Sequence, residues 1–215
     1  MSAAVHVPAG AKLLLATGNA HKLGELRAIL TAPGGVAGLR PEQIIGSGQL
    51  GVLEPVEDGV TFAENALIKA RALAAATGRA AIADDSGLAV DVLGGAPGIF
   101  SARWCGHHGD DAANLALLLA QLADIPAPHR GAAFVCAAAL VLPDGTEIVE
   151  HGRLEGTLLM QPTGAGGFGY DPILVPAGMD RSCAQLTADE KNAISHRGKA
   201  FRALAPAIAR EVGRR

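Results

Sequence analysis

Two adjacent carboxylates stand in the run Asp84-Asp85-Ser86-Gly87, directly after the apolar residues 80–83. Carboxylate oxygens suit Mg²⁺, which takes one or two protein carboxylates and completes its shell with water and phosphate oxygens. If the run is extended, the two carboxylates point to opposite sides of a strand, so one of them faces any given site. The alternative is a turn in which Asp and Ser bond their own backbone. The residues alone support the metal site and the turn equally.

A second candidate is an anion site in the segment Thr17-Gly18-Asn19-Ala20-His21-Lys22, which separates an apolar run from a helical pattern. Free N–H groups and the partial positive charge at a helix N-terminus favour anions, and Lys22 adds a full charge. The spacing matches neither the Walker A motif nor the Gly-x-Gly-x-x-Gly dinucleotide motif. Most junctions of this kind are only structural, so phosphate binding and a plain turn both stay open.

Glycine and aromatic residues are concentrated in the run Gly164-Ala-Gly-Gly-Phe-Gly-Tyr-Asp171-Pro172. Glycines allow a flat ligand to approach the backbone, and Phe168 or Tyr170 can stack on a base. The whole chain has one Trp, one Tyr and five Phe, so two aromatic residues in one loop favour a ligand contact. The alternative is a structural loop whose aromatic side chains anchor it to the core.

Four potential cations, Lys191, His196, Arg197 and Lys199, lie within nine positions of a chain that is otherwise acidic. Lysine and arginine both suit phosphate or carbonyl oxygens, although such a cluster is more often a solvated helix face. Among further acidic residues, Glu64 is explained as the partner of a helix cap, whereas the sequence gives no structural reason for Glu57.

Apolar runs alternate with helical patterns, and a hairpin adds an antiparallel pair, which together predict one α/β domain with a mixed sheet. The clearest helix follows the capping box Thr61-x-x-Glu64 and ends at Gly78. The remaining predicted elements are strands over 12–17, 80–83 and 88–93; helices over 20–30 and 110–122; an irregular or weakly stranded connection over 31–59; a hairpin of 132–142 and 146–151; a third strand over 152–159; and a helical region from Thr187 that Pro206 kinks or interrupts.

Composition excludes several classes of protein. Of the 215 residues, 49% are apolar and 18% are charged, so the chain can bury a core and is not a disordered protein. The net charge of −3 argues against a nucleic-acid partner, and the longest apolar run, 132–142, is about half of a membrane span. Three scattered cysteines and the absence of a signal-peptide pattern predict a cytoplasmic protein.

Five segments occur in an order that resembles the inosine triphosphate pyrophosphatase family, also described as dITP/XTP pyrophosphatases. They are ATGNAHKLGEL, TFAENALIKA, AIADDSGLAVDVLGGAPGIFSARW, GGFGYDP and SHRGKA. The resemblance covers nearly the whole chain, from Lys12 to Leu204. It implies Mg²⁺-dependent hydrolysis of a non-standard purine nucleoside triphosphate (ITP, dITP or XTP) to the monophosphate and pyrophosphate.

The resemblance also assigns roles to residues. Asp85 matches the proton acceptor and a metal ligand, and Glu57 matches an acidic position near the metal. Substrate contacts are expected from the residues Thr17, Gly18, Asn19, Ala20, His21 and Lys22 for the triphosphate, from Ser86, and from Phe168, Gly169, Tyr170, Asp171, Lys191, His196 and Arg197 for the base and sugar.

The fold that the resemblance implies is a mixed central sheet flanked by helices, with two lobes, a nucleotide cleft between them and a homodimeric assembly. Residues 12–213 would form this single domain, and residues 1–11 a disordered N-terminal extension. Two alternatives are a catalytically impaired nucleotide-binding protein and a related-fold pyrophosphatase that acts on other nucleotides. The presence of Asp85, Glu57 and Lys22 argues against the first, and the run Ser195–Gly198 argues against the second.

Overall fold

A computed structural model describes residues 5–213. Its strands and helices, numbered in chain order, are β1 (Leu13–Leu15), α1 (Ala20–Thr31), β2 (Ile44–Gly46), α2 (Phe62–Thr77), β3 (Ala81–Val90), α3 (Asp111–Gln121), β4 (Gly131–Val141), β5 (Glu147–Leu158), β6 (Leu174–Pro176), α4 (Ala188–Ile194) and α5 (His196–Gly213). Short 3₁₀ turns occupy Pro41–Gln43, Ser47–Leu50, Asp91–Leu93, Gly98–Arg103, Ala127–His129 and Cys183–Gln185.

The six strands form one sheet in the order β2-β1-β3-β4-β5-β6. Strand β1 pairs in parallel with β2 and with β3, whereas β5 pairs with β6 in the antiparallel sense. The predicted mixed sheet with flanking helices is therefore confirmed.

The chain divides into two compact units, each with its own apolar core. The first contains the described residues up to Asp85, residues Ala137–Gly152 and the C-terminal residues from Arg197; the second contains Ser86–Cys136 and Arg153–His196. The predicted cleft between two lobes stays a prediction.

Small side chains bring helix α2 close to the sheet in the first unit. Ala66, Ala70 and Ala74 recur every four residues and are buried in the same cluster as Ala81 and Ala83 of β3. Alternation along a strand then places Asp85 on this face of the sheet too. Because this helix surface is made of alanine, the longer side chains of α2 can reach Asp85 in the middle of β3.

The start of α2 is fixed by the predicted capping box. Thr61 Oγ1 accepts from the Glu64 N–H at 3.1 Å, and Glu64 Oε2 accepts from the Thr61 N–H at 3.1 Å and the Val60 N–H at 2.7 Å. At the other end, Gly78 adopts the left-handed conformation (φ 64°) that closes the helix. The helix that carries Asn65 and Lys69 therefore has a defined register.

The second unit is held by a buried guanidinium. Arg130 is 1% exposed and donates to the carbonyls of Leu122 (2.7 Å), Leu158 (3.0 Å) and Leu159 (2.9 Å). These bonds connect the end of α3 to the end of β5, so the unit has a polar anchor beside its apolar cluster.

Four predictions of local structure were wrong. Residues 84–87 are part of one continuous strand, β3, so the turn interpretation of the Asp-Asp-Ser-Gly run fails; residues Asp91–Leu93 form a 3₁₀ turn rather than a strand. Strand β5 is a single long strand where two were predicted. Helix α5 continues past Pro206 to Gly213, so the predicted interruption is wrong, while the alternative of a kink stays a prediction. The short strand β2 lies inside the connection predicted as irregular or weakly stranded, and β6 was not predicted.

The predicted N-terminal extension, residues 1–11, begins outside the described residues. From Val5 onward it has no helix or strand, Val7 packs against the core of the first unit, and Ala11 is buried. None of the helices within residues 5–213 is long and apolar enough to cross a membrane.

We expect the Thr61→Ala variant to lose about 1 kcal/mol of unfolding free energy, because the Glu64 N–H at the start of α2 loses its acceptor, Thr61 Oγ1. Urea denaturation measures this loss. Thr61→Ser keeps the hydroxyl and serves as the control. Equal stability of the alanine and serine variants would show that the box does not fix the helix.

Candidate active site

The two carboxylates in the middle of β3 have different partners, as expected for neighbouring residues of a strand. Asp84 Oδ2 accepts from Arg197 Nε at 3.0 Å, whereas Asp85 Oδ2 accepts from Asn65 Nδ2 of α2 at 3.1 Å. Both aspartates are buried. The prediction that only one carboxylate faces a given site is consistent with this division.

A buried ammonium group lies near both Glu57 and Asp85. Lys69 Nζ is 3.1 Å from Glu57 Oε1 and 3.8 Å from Asp85 Oδ1, and the residue is 5% exposed. Lys69 stands one helical turn after Asn65 on α2, so the two side chains leave the same face of the helix. We call Glu57, Asn65, Lys69 and Asp85 the carboxylate–lysine cluster.

Burial and charge oppose one another in this cluster. Burial acts to lower the pKa of Lys69, but Asp84, Asp85 and Glu57 outweigh it and the pKa is raised, so the side chain is a cation. Burial raises the pKa of Asp85, and Glu57 adds to that effect, while Lys69, Asn65 and Lys22 oppose it. Asp85 is thus a more basic carboxylate than one in water.

Asp84 belongs to a buried ion network of a different kind. Burial alone would raise its pKa, but Arg197, Lys22 and Lys69 hold the pKa of this carboxyl well below its usual range. The Arg197 guanidinium is 2% exposed and also donates from Nη1 to Glu25 Oε2 of α1 at 2.5 Å. This network ties α1 and α5 to Asp84 in the middle of β3.

The segment between β1 and α1 already satisfies several of its own N–H groups. Asn19 Oδ1 caps α1 by accepting from His21 N (2.9 Å) and Lys22 N (3.2 Å), and Thr17 Oγ1 accepts from Asn19 N (3.1 Å). The Gly18 N–H donates to a carboxylate oxygen of Glu54. The expectation of open N–H groups is therefore wrong at Gly18, Asn19, His21 and Lys22. Gly18, Asn19, Ala20 and His21 are exposed to solvent, and Thr17 is buried.

A second set of predicted residues meets in the glycine-rich loop of the second unit. Asp171 Oδ2 accepts from Lys191 Nζ at 2.6 Å and from the Phe168 N–H at 2.9 Å. The Lys191 ammonium also lies 4.8 Å from the centre of the Phe168 ring, a cation–π contact. Phe168 is exposed, whereas Asp171 and Lys191 are buried. The aromatic ring therefore covers the buried ion pair of Lys191 and Asp171.

Tyr170 and Gly169 are anchored within the same unit. Tyr170 is buried and its hydroxyl donates to the Ser101 carbonyl at 2.9 Å, while the Gly169 N–H donates to Asp111 Oδ2 at 2.9 Å. Burial and the charge of Asp111 raise the pKa of Tyr170, which keeps it a neutral donor. In this structure, Tyr170 has the anchoring role that the sequence left open.

The buried His196 ring stacks on Phe134, with ring centres 5.0 Å apart, and Ser86 is half-buried next to Asp85 in β3.

The predicted site residues are divided between the two units. The first holds Thr17–Lys22, Glu57, Asp85 and Arg197, and the second holds Ser86, the glycine-loop residues, Lys191 and His196.

Metal binding has a limited set of donors here. Within residues 5–213 no group of three or more His, Cys, Asp and Glu side chains is placed to hold a metal ion. Glu57 and Asp85 supply two carboxylates that already turn toward one cation, the Lys69 ammonium. Two oxygen donors of this type fit Mg²⁺, which completes its shell with water and phosphate oxygens, better than they fit zinc.

A model of the Ham1 family matches residues 13–207. The chain belongs to the Ham1 family. A relative from Streptomyces coelicolor named dITP/XTP pyrophosphatase is 65% identical over 203 residues, which are 94% of this chain and 99% of the relative. One of the same name from Mycobacterium tuberculosis is 54% identical over 198 residues, 92% of this chain and 95% of the relative. The resemblance inferred from the five segments is confirmed.

Solved structures of Ham1 relatives share the fold. A HAM1 protein from Coxiella burnetii has a TM-score of 0.80 at 38% identity, covering 92% of this chain and 98% of the other. A protein from Mycobacterium abscessus described as a nucleoside-triphosphatase / dITP/XTP pyrophosphatase has a TM-score of 0.72 at 52% identity, covering 90% and 98%.

Three residues of this Ham1-family site were not among the predicted ones. Asn65 and Lys69 of α2 were not predicted to belong to a site, and Asp84 was predicted only as the neighbour of Asp85. Asn65 and Lys69 are four residues apart on an alanine-rich helix. This spacing was the available signal of a site, because two polar side chains on a helix that packs against a sheet must find polar partners there.

We expect Arg197→Met to lower the free energy of unfolding by about 3–5 kcal/mol, because the buried Asp84 and the partly buried Glu25 would lose the guanidinium that they share. Urea denaturation measures the loss. The double variant Arg197→Met with Asp84→Asn should recover part of it. A single-variant loss below about 1 kcal/mol, the range of an exposed pair, would contradict this account.

Proposed function

We propose that this Ham1-family chain hydrolyses non-standard purine nucleoside triphosphates (ITP, dITP and XTP) to the monophosphate and pyrophosphate, and so removes them from the nucleotide pool. The observation that carries the proposal is the buried carboxylate–lysine cluster, in a chain whose 65%-identical relative is named dITP/XTP pyrophosphatase. Hydrolysis at the α-phosphorus needs a carboxylate that binds or deprotonates the attacking water, and cations near the charge that develops on the phosphate. The cluster contains both carboxylates and an ammonium group.

Glu57 and Asp85 would hold Mg²⁺ in this proposal. When bound, the ion neutralises phosphate charge and lowers the pKa of a coordinated water. Lys69 lies near both carboxylates, so the ion and the ammonium group would share them. Glu57 and Asp85 would fill only part of the coordination shell of the ion, which leaves the remaining positions for phosphate and water oxygens.

Asp85 acts as the proton acceptor for the attacking water. Its burial makes it more basic, and the hydrogen bond from Asn65 Nδ2 fixes one of its oxygens. The other oxygen, Oδ1, is the one nearer to the Lys69 ammonium. A base with one oxygen fixed presents the second in a constant direction, which is what proton transfer from an oriented water needs.

Lys22 and the residues Thr17–His21 bind the triphosphate in this proposal. Lys22 is close enough to Asp84 and Asp85 to lower the pKa of both, so its charge acts on the same region. The loop is exposed from Gly18 to His21, which leaves it open to a ligand.

Residues Ser86, Phe168, Gly169, Tyr170, Asp171, Lys191, His196 and Arg197 contact the nucleoside in this proposal. Phe168 is the exposed aromatic face, and Lys191 beneath it is a donor suited to a 6-oxo group. Adenine presents an amino donor at that position, and a buried donor facing a donor goes unpaired. A homodimeric state and a cytoplasmic location are further predictions from the family resemblance.

One assay tests the proposal against its alternatives. The protein is incubated with ITP, XTP, GTP, ATP and dTTP in the presence of Mg²⁺, and pyrophosphate, orthophosphate and monophosphate are followed. We expect pyrophosphate and monophosphate from ITP and XTP. Orthophosphate would indicate attack at the γ-phosphorus, turnover of dTTP alone would favour a related-fold pyrophosphatase, and binding without turnover would favour an impaired nucleotide-binding protein.

We expect Asp85→Asn to keep the fold and to lower kcat for ITP by at least about a hundredfold, because the amide cannot accept the proton of the water. Circular dichroism checks the fold and steady-state pyrophosphate release gives kcat. Rates close to those of the unmodified protein would remove Asp85 from this role.

We expect Lys22→Ala to raise KM for ITP more than it lowers kcat, because the lysine supplies a charge to the bound phosphates. The exposed Lys199→Ala variant is the control for loss of one positive charge. If both variants keep the KM of the unmodified protein, the segment before α1 has only a structural role.

A further inference from the structure

We infer that Asn65 is a positioning residue, which sets the geometry of Asp85 and of the loop carrying Glu57 through a single side-chain amide. The inference rests on the proposed function, because it concerns the two carboxylates proposed to hold Mg²⁺ and the water. It stands on two hydrogen bonds of one buried group: Asn65 Oδ1 accepts from the Gly59 N–H at 2.9 Å, and Asn65 Nδ2 donates to Asp85 Oδ2 at 3.1 Å.

The orientation of the amide is determined by its neighbours. A backbone N–H requires an oxygen opposite it, and an ionised carboxylate requires a donor, so a flipped amide would place donor against donor and acceptor against acceptor. Asn65 is 1% exposed, so neither mismatch would be relieved by bulk water. One amide orientation is therefore strongly favoured, and it aims Nδ2 at Asp85.

The contact also requires glycine at position 59. A Cβ at Gly59 would lie 2.6 Å from Asn65 Oδ1 and 2.7 Å from Glu64 Cβ, closer than real side-chain contacts allow. The backbone of the loop therefore approaches α2 as closely as it does because no side chain intervenes. Gly59 is two residues after Glu57, so this contact fixes the end of the segment that carries the second carboxylate.

Asn65 thus joins two segments that are far apart in sequence. Glu57 comes from the loop before α2, Asp85 comes from the middle of β3, and the helix between them carries the amide that contacts both segments. The capping box at Thr61 and Glu64 fixes the helix turn from which Asn65 projects. Residues that orient metal-binding carboxylates in this way change metal affinity or activity by about 10- to 100-fold when removed.

The experiment compares two buried asparagines. Asn114 is also 1% exposed, and its Oδ1 accepts from a loop N–H, that of Cys105, at 2.7 Å, within the second unit. Asn65→Leu and Asn114→Leu therefore each remove a clamp on a loop, but only the first removes a donor to Asp85. Melting temperature, kcat and KM for ITP with Mg²⁺, and a crystal structure of each variant are measured.

We expect both variants to lose stability to a similar degree, and Asn65→Leu alone to lower kcat by about 10- to 100-fold while KM changes less than kcat. Its crystal structure should show the Asp85 carboxylate and the Gly59 backbone displaced. A kcat for Asn65→Leu within the range of Asn114→Leu, or an unmoved Asp85, would overturn the inference.

A glycine pair keeps the inference testable if Asn65→Leu does not fold. Gly59→Ala leaves Asn65 in place but pushes on its Oδ1, whereas Gly10→Ala adds a Cβ with nothing within 4 Å. We expect kcat to fall for the first and not for the second; equal kcat values would count against Asn65. Turnover of ITP by the unmodified protein tests the proposed function by itself, and the crystal structures test the role of Asn65 whatever the substrate is.

Discussion

The buried ammonium of Lys69 is the constraint on which the rest of the site depends. Removing an ion from water costs several kcal/mol, so the side chain stays charged at 5% exposure because Asp84, Asp85 and Glu57 act on it together. Asp84 and Asp85 in turn tolerate burial because of the nearby cations. The alanine face of α2, the continuous strand β3 and the loop before α2 all serve to bring these opposite charges together.

Much of the fold followed from local signals in the sequence. The capping box at Thr61 and Glu64 and the glycine at 78 gave the bounds of α2, because both ends are set by short-range bonds. Strand β3 was divided wrongly since Asp, Ser and Gly are turn-forming residues in isolation. Here Asp84 and Asp85 gain partners on the two sides of the strand, and these long-range contacts outweigh the local preference.

The site was predicted less completely than the fold, for a physical reason. Carboxylates and glycine-rich runs suggest a functional site by their residue types alone. Asn65 and Lys69 do not, because their roles depend on contacts that only the folded chain makes: Asn65 with Asp85, which is 20 residues away in sequence, and Lys69 with Glu57 of the loop before α2. Tyr170 shows the opposite case. It stands in a run that suggests ligand contact, yet its hydroxyl bonds to the Ser101 carbonyl 69 residues away, which only the folded chain reveals.

The contact between Glu54 and the Gly18 amide has a consequence for any ligand that approaches the start of α1. The Gly18 N–H already donates to the Glu54 carboxylate, so an incoming anion must displace that carboxylate before it can accept the same hydrogen bond. The displaced Glu54 side chain is exposed and regains water, which offsets part of the lost bond. This exchange weakens the binding of an anion to the Gly18 N–H, and the Glu54 carboxylate can bond to the same N–H again when the anion leaves.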